Sequence, residues 1–285
     1  MEFRQIQTFL EIHRQGSFVN AAARLALTQP ALSRQISLLE RELGAKLFFR
    51  SAAGTRLTPE GEKLLGPAND LEHSLRNIQE SLKSKESISG RYTISCGGTI
   101  AAYVLPQAVR KIRQKHPDLL VRVVEGDAYD TLRSVSGGES ELGILSGQPA
   151  DSELESEFYF RDEIVPVVGL SHPLARRRRM SAASLGDFEC VSHHPASAIR
   201  QAVEKKWKAL RLKPRIVMEL RSMESVLRSV EAGVGVGFVS RLSVSKKMRV
   251  LPISELVSQR DFYFCFRRQS RGMDQFIDLL RNTGS

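Results

Sequence analysis

Hydrophobic positions follow three regimes along the chain. At the start, Phe3, Ile6 and Leu10 recur at helical spacing, and Gly16 is placed to end that helix. Ser17 then stands where an N-cap is wanted, ahead of the run Phe18–Ala23. Leu27 and the sequence Thr28–Gln29–Pro30 break this second helix and start another, because proline suits a first turn in which its missing N–H is not needed. Two short helices a few residues apart form a helix-turn-helix arrangement. On the later helix, Leu32, Ile36, Leu39 and Leu43 cluster within about 60° and predict its core face. Pro30, Arg34, Ser37 and Arg41 lie opposite, with Gln29 and Ser33 flanking.

After Gly44 the run KLFFRSAAGTRLTPEG turns at Gly54 between extended stretches and predicts a two-stranded wing bracketed by Arg50 and Arg56. Residues 60–87 read as one long helix. Its apolar positions Leu64, Ala68, Leu71, Leu75, Ile78 and Leu82 repeat as 4, 3, 4, 3, 4, a narrow heptad stripe suited to a helix–helix seam. A helix packed on its own C-terminal domain is the alternative. From residue 90 onward strand and helix patterns alternate, the α/β signature.

The polar helix face suggests chemistry. A helix whose N-terminal residues reach base edges reads the major groove. Arg34 can take guanine bidentately and Gln29 adenine, while Arg50 and Arg56 suit phosphates. The competing reading is the solvated face of an ordinary three-helix domain. Composition adds modest support. The 285 residues carry 42 Lys plus Arg against 32 Asp plus Glu, a net charge of +10, which points first to a polyanion. Yet residues 1–60 are only +3, whereas residues 166–285 hold 22 basic and 10 acidic residues. The DNA expectation therefore rests on the motif and the helix face. The distal excess suits an anionic partner or nonspecific attraction to DNA. No run is apolar enough to span a membrane, and no secretory leader is visible. Three widely spaced cysteines, Cys96, Cys190 and Cys265, form no framework, so a reducing cytoplasmic location is expected.

The run from Phe9 to Gly61 resembles the DNA-binding domain of the LysR-type bacterial transcriptional regulators. The resemblance is carried by Gly16–Ser17–Phe18, Ala21–Ala22, Leu25, Gln29–Pro30–Ala31, Ser33–Arg34–Gln35–Ile36, Leu39–Glu40, Leu43–Gly44, Leu47–Phe48, Arg50, and Leu57–Thr58–Pro59 with Gly61. It continues more weakly to the C-terminus. It implies an overall α/β fold in three parts: a winged helix-turn-helix over 1–59, a linker and dimerisation helix over 60–88, and a two-lobed periplasmic-binding-protein-like effector domain over 89–285. The lobes are expected at about 89–162 plus 260–285, and at 163–259. The implied partners are double-stranded DNA at a pseudo-palindromic promoter site, a second copy in a homodimer that pairs into a homotetramer, and a small-molecule effector. No cofactor, metal or membrane is implied. The DNA-contacting candidates are Ser17, Phe18, Thr28, Gln29, Pro30, Ser33, Arg34, Ser37, Arg50 and Arg56.

In the distal half YTISC, LLVRVVEG and ELGILSG are expected strands of one lobe. A strand at 164–170 opens the second lobe. DFYFCF and a terminal helix near 272–281 return to the first. Family motifs here are Leu105–Pro106, His116–Pro117–Asp118, Glu125–Gly126, Gly138–Glu139 and Ala232–Gly233–Val234–Gly235. Glu141, where the family usually carries Asp, and Ser240, where many members carry Pro, depart from the pattern. Ligands of such folds sit where strands end and helices begin. The candidates are Thr99, Ile100, Ser146, His194, Ser197, Arg200, Met223 and Phe238. Thr99 and Ser197 are equally ordinary N-caps. The rival class is an α/β enzyme or binding protein with a helical appendage, but no nucleophile–base constellation stands out. His193–His194 lack further ligands at zinc spacing, and Arg176–Arg179 read as a solvated loop.

Overall fold

The computed structural model describes residues 1–51, 54–81, 90–150, 154–267 and 273–283. The chain divides into two units, Met1–Ser87 with Ser134–Ser140, and Ile88–Arg133 with Glu141–Ser285. Among the described residues no helix is long and apolar enough to cross a membrane.

The first unit opens with α1 (Phe3–Gln15), α2 (Phe18–Arg24) and α3 (Gln29–Leu43). Their apolar faces meet in one core that includes Phe9, Leu10, Phe18, Leu32, Ile36 and Leu39. Leu43 leaves the expected stripe and is 43% exposed, because α3 ends immediately after it at Gly44 in the left-handed conformation. Glu40 is buried instead. It accepts from the Leu47 N–H at 3.0 Å and from Lys46 Nζ at 2.6 Å, which ties the end of α3 to the next strand. The wing is β1 (Phe48–Ser51) paired antiparallel with β2 (Gly54–Leu57). The Thr55 N–H donates to Gly16 O at 3.0 Å, so the wing is pinned to the α1–α2 turn. Gly54, at φ +117°, passes so close that a Cβ there would lie 3.3 Å from the same oxygen.

The long helix α4 (Pro59–Ser81) continues through Pro67, which cannot donate to the helical ladder. Its expected seam needs correction. Ala68 is 2% exposed and, with Leu65, belongs to the core of its own unit. Leu64 packs partly against that core. Leu71, 39% exposed, and half-buried Leu75 lie further along. Only the backbone of Ile78 is described, and Leu82 lies outside the described residues.

The second unit is built on a sheet whose strands run in the order β10 (Met248–Val250), β6 (Leu154–Gly169), β11 (Ser258–Arg267), β5 (Leu142–Ser146), β3 (Gly90–Cys96) and β4 (Leu119–Glu125), with β9 (Gly237–Ser240) also on β6. β3 (Gly90–Cys96), α5 (Gly98–Tyr103), α6 (Leu105–Lys115), β4 (Leu119–Glu125), α7 (Ala128–Ser136) and β5 (Leu142–Ser146) form one lobe. Its core takes in Ile94, Ile112, Ile144, Phe264 and Phe276. The other lobe contains β7 (Glu189–His193), α8 (Ala198–Ala209), β8 (Arg215–Leu220), α9 (Met223–Glu231), β9 (Gly237–Ser240) and β10 (Met248–Val250). Two strands serve both lobes. β6 is one 16-residue strand (Leu154–Gly169) where the hydrophobic pattern marked only 164–170. β11 (Ser258–Arg267) pairs along it and also joins β5. The last helix, α10 (Met273–Thr283), packs on α6 in the first lobe.

Candidate functional site

Helix α3 begins at Thr28, whose side chain accepts from the Ala31 N–H at 3.4 Å while Pro30 occupies the first turn. Burying Leu32, Ile36 and Leu39 turns Gln29, Pro30, Arg34 and Ser37 outward, all exposed, with Ser33 half-buried beside them. Arg34 has no hydrogen-bond or ion-pair partner among the described residues, so its five-donor fork is available. Ser17 caps α2 by accepting from the Asn20 N–H at 3.4 Å. Phe18 is corrected from a contact to a support. It is 6% exposed, edge-on to Phe48 at 5.7 Å, because its position opens a helix whose apolar side faces α1. Its ring carries the guanidinium of Arg50 at 3.7 Å, which holds that exposed cation on the wing. Arg56 is exposed on the second wing strand.

Thr99 bridges the two lobes. Its hydroxyl donates to Met223 Sδ at 3.3 Å, across from α5 to α9, and accepts from Arg260 Nη2 at 3.1 Å. Arg260 comes from β11, and its side chain is 9% exposed. Its carboxylate partner is Asp162 on β6, 2.8 Å from Nη2, and Asp162 also accepts from Ser240 Oγ at 2.8 Å. Burial lowers the Arg260 guanidinium from its ordinary value and Asp162 opposes that shift; arginine remains a cation throughout. On the other lobe, His193 is buried, and its Nε2 donates to Phe238 O at 3.1 Å. Burial, with the Arg260 and Arg200 cations adding to it, pushes His193 down to about 4.

Several expected cleft residues are placed differently. Ile100 is fully buried in the first lobe's core, since it follows Thr99 on the inward side of α5. Phe238 is 4% exposed and edge-on to Trp207 at 5.5 Å, so it offers only its carbonyl. Arg200 is turned into its own lobe, donating to Ser192 Oγ and, at 2.6 Å, to Glu204. Ser197 caps α8 without a side-chain bond, and the exposed His194 accepts from the Ala196 N–H at 3.3 Å. Ser146 is half-buried at the end of β5, opposite Phe262. The two departures from the family pattern have structural partners. Glu141 accepts from the Thr93 N–H at 2.6 Å, and Ser240 both holds Asp162 and accepts from the Leu242 N–H at 3.2 Å.

The pair that the sequence reading missed is Asp162–Arg260. Strand alternation carries a signal for it: Arg260 shares a parity with Phe262, Phe264 and Phe266, a charge in line with an apolar face.

The bacterial regulatory helix-turn-helix family of the lysR type matches residues 3–62, and the LysR substrate binding domain matches residues 85–285. A probable RuBisCO transcriptional regulator of Emiliania huxleyi is 30% identical over 86% of this chain and 81% of the relative. A full-length OxyR variant from Pseudomonas aeruginosa superposes with a TM-score of 0.81 at 21% identity, covering 100% of this chain and 97% of that one. The regulatory domain of CcmR from Synechocystis PCC6803, solved in complex with 2-PG, superposes with a TM-score of 0.62 at 20% identity, over 69% of this chain and 98% of that one. Both matched domains belong to regulators, which decides against the enzyme alternative. The chain belongs to the LysR family of bacterial helix-turn-helix transcriptional regulators.

Proposed function

We propose that this regulator acts in the cytoplasm as a homodimer, paired into a homotetramer. It reads a pseudo-palindromic promoter site through Gln29, Pro30, Ser33, Arg34 and Ser37, with Arg50 and Arg56 on phosphates. Its effector is a small organic anion held between the lobes beside Thr99 and Ser197, and it needs no cofactor. The DNA half follows from groove geometry, in which the N-terminal part of a recognition helix meets base edges and paired copies stand about one turn apart. The observation that carries the effector half is the Thr99 hydroxyl lying 3.1 Å from a buried arginine, Arg260, where elements of the two lobes meet. That is a neutral donor beside a desolvated cation, the chemistry that recognises carboxylate or phosphate. The CcmR regulatory domain, a structural neighbour, was solved with 2-PG, which is 2-phosphoglycolate and anionic.

An effector that prefers one lobe arrangement shifts the population toward it and so changes how paired DNA-binding domains sit on DNA. Two measurements test the reading. Footprinting with Arg34→Ala is expected to lose sequence-specific protection, and unchanged protection overturns the helix assignment. Calorimetric titration of 2-phosphoglycolate is expected to bind the wild-type chain and to weaken about tenfold or more in Thr99→Val. Equal binding to both moves the effector site elsewhere.

A further inference from the structure

Asp162 and Arg260 are Cα partners across β6 and β11. They sit where the double strand passes from one lobe to the other. Just beyond Arg260, Phe262 begins the pairing with β5, and just beyond Asp162, Ile164 begins the pairing with β9. Each charge is tied to a different lobe, Arg260 to Thr99 and Asp162 to Ser240. Both side chains are withdrawn from water, at 9% and 1% exposure.

The arrangement is lopsided. Arg260 spends one edge of its guanidinium on a single oxygen, with Nε at 2.9 Å and Nη2 at 2.8 Å from Asp162 Oδ2. Nη1 has no partner among the described residues. The Thr99 proton rests on a thioether sulfur, a weak acceptor that an anionic oxygen readily displaces. His193 adds no charge, because its Nε2 proton is committed to the Phe238 carbonyl and the ring stays neutral. Of the side chains bonded to Arg260, Asp162 alone carries negative charge.

Resting on the anionic-effector reading above, we infer that Arg260 is the anion receptor of the cleft and Asp162 its built-in counter-ion. Asp162 is then a specificity-determining residue. It leaves the Nη1 edge and the Thr99 hydroxyl for one oxyanion head, a carboxylate or a phosphate, and it repels that head enough to keep binding reversible. A carboxylate sharing a guanidinium with the ligand is a like charge at close range in a poorly screened site, so it lowers affinity. A purely structural Asp162 makes the opposite prediction, since removing it would loosen the site.

The experiment is calorimetric titration of the full-length protein with inorganic phosphate and, in a parallel arm, acetate. Asp162→Asn keeps the acceptor oxygen for Ser240 and Arg260 and removes the charge. It is expected to tighten binding of the preferred probe by about tenfold or more, Asp162→Glu to stay near wild type, and Arg260→Met to abolish binding and to cancel the gain from Asp162→Asn. The arm that responds names the head group. Should Asp162→Asn fail to fold, the apolar pair Asp162→Leu with Arg260→Met supplies the test, because a buried ion pair is often replaceable by packed apolar side chains. Wild-type phosphate or acetate affinity in that pair overturns the receptor assignment. Folded Asp162→Asn with unchanged or weakened binding, while Thr99→Val still weakens the wild type, overturns the counter-ion and leaves the anionic cleft standing. Binding of neither probe to any variant, Asp162→Asn included, overturns both.

Discussion

The guanidinium of Arg50 stacks 3.7 Å above the ring of Phe18, so a buried residue of the helix-turn-helix core aims a cation of the wing. A cation over an aromatic face at an exposed site is worth about 0.5–1 kcal/mol. The proposed DNA contact of Arg50 thereby depends on a side chain that is itself buried. Phe18→Leu is expected to lower DNA affinity a few-fold on specific and nonspecific sequences alike. Arg50→Ala is expected to do more and to reduce the salt slope by about one. Once Arg50 is gone, Phe18→Leu should cost little further affinity; an equal loss in both backgrounds would show that Phe18 acts through the core alone.

What was legible in the sequence, and what was not, divides along physical lines. The stripe Leu32, Ile36 and Leu39 is a local periodicity, and all three residues are fully buried. Phe18 is ambiguous in one dimension, since a residue just after an N-cap can face groove or core. A heptad on α4 says that a face is apolar but not what covers it, and for Leu65 and Ala68 the cover is the chain's own core. β6 was half-hidden because Ser156 and Asp162 fall on the apolar parity of Leu154, Phe158, Phe160 and Ile164, and Tyr159 on the polar one, so the alternation is broken before Ile164. Arg260 stood on an apolar parity, but its partner is 98 positions away and only strand register brings them together.

His193 gives stability a definite pH dependence. An ordinary histidine titrates near 6.5, and burial together with Arg260 and Arg200 pushes this one down to about 4. Between those values the unfolded chain binds a proton that the folded chain refuses. Stability is therefore lost as pH falls from about 6.5 to about 4, by about 3 kcal/mol at the lower end. Urea denaturation at a series of pH values should show this slope, and His193→Gln should flatten it. An unaltered slope in the variant would assign the acid sensitivity to other groups.

The three cysteines are buried, and burial pushes the Cys96 thiol up to about 12, helped by Glu125, and Cys190 up to about 11, against the pull of Arg200. Thiolate is the reactive form, so these sites are poor nucleophiles at neutral pH. A chromogenic disulfide reagent is expected to leave all three unmodified in the folded protein and to titrate them in denaturant. Rapid stoichiometric reaction of Cys96 or Cys190 in native buffer would reopen a redox role.

The basic excess of residues 166–285 has its densest point at Arg176–Arg179, all exposed. Of these, Arg177 rests over the Phe188 ring at 5.9 Å. Such a cluster is a screened surface field with no fixed geometry toward base edges, whereas Arg34 projects from a helix with caps at both ends. A diffuse field contributes affinity without sequence information. Replacing the four arginines by glutamine is therefore expected to scale specific and nonspecific binding by the same factor and to shallow the salt dependence. The ratio between a promoter site and scrambled DNA, measured at several salt concentrations, is the quantity to follow. A change in that ratio would mean that the distal charge takes part in site selection.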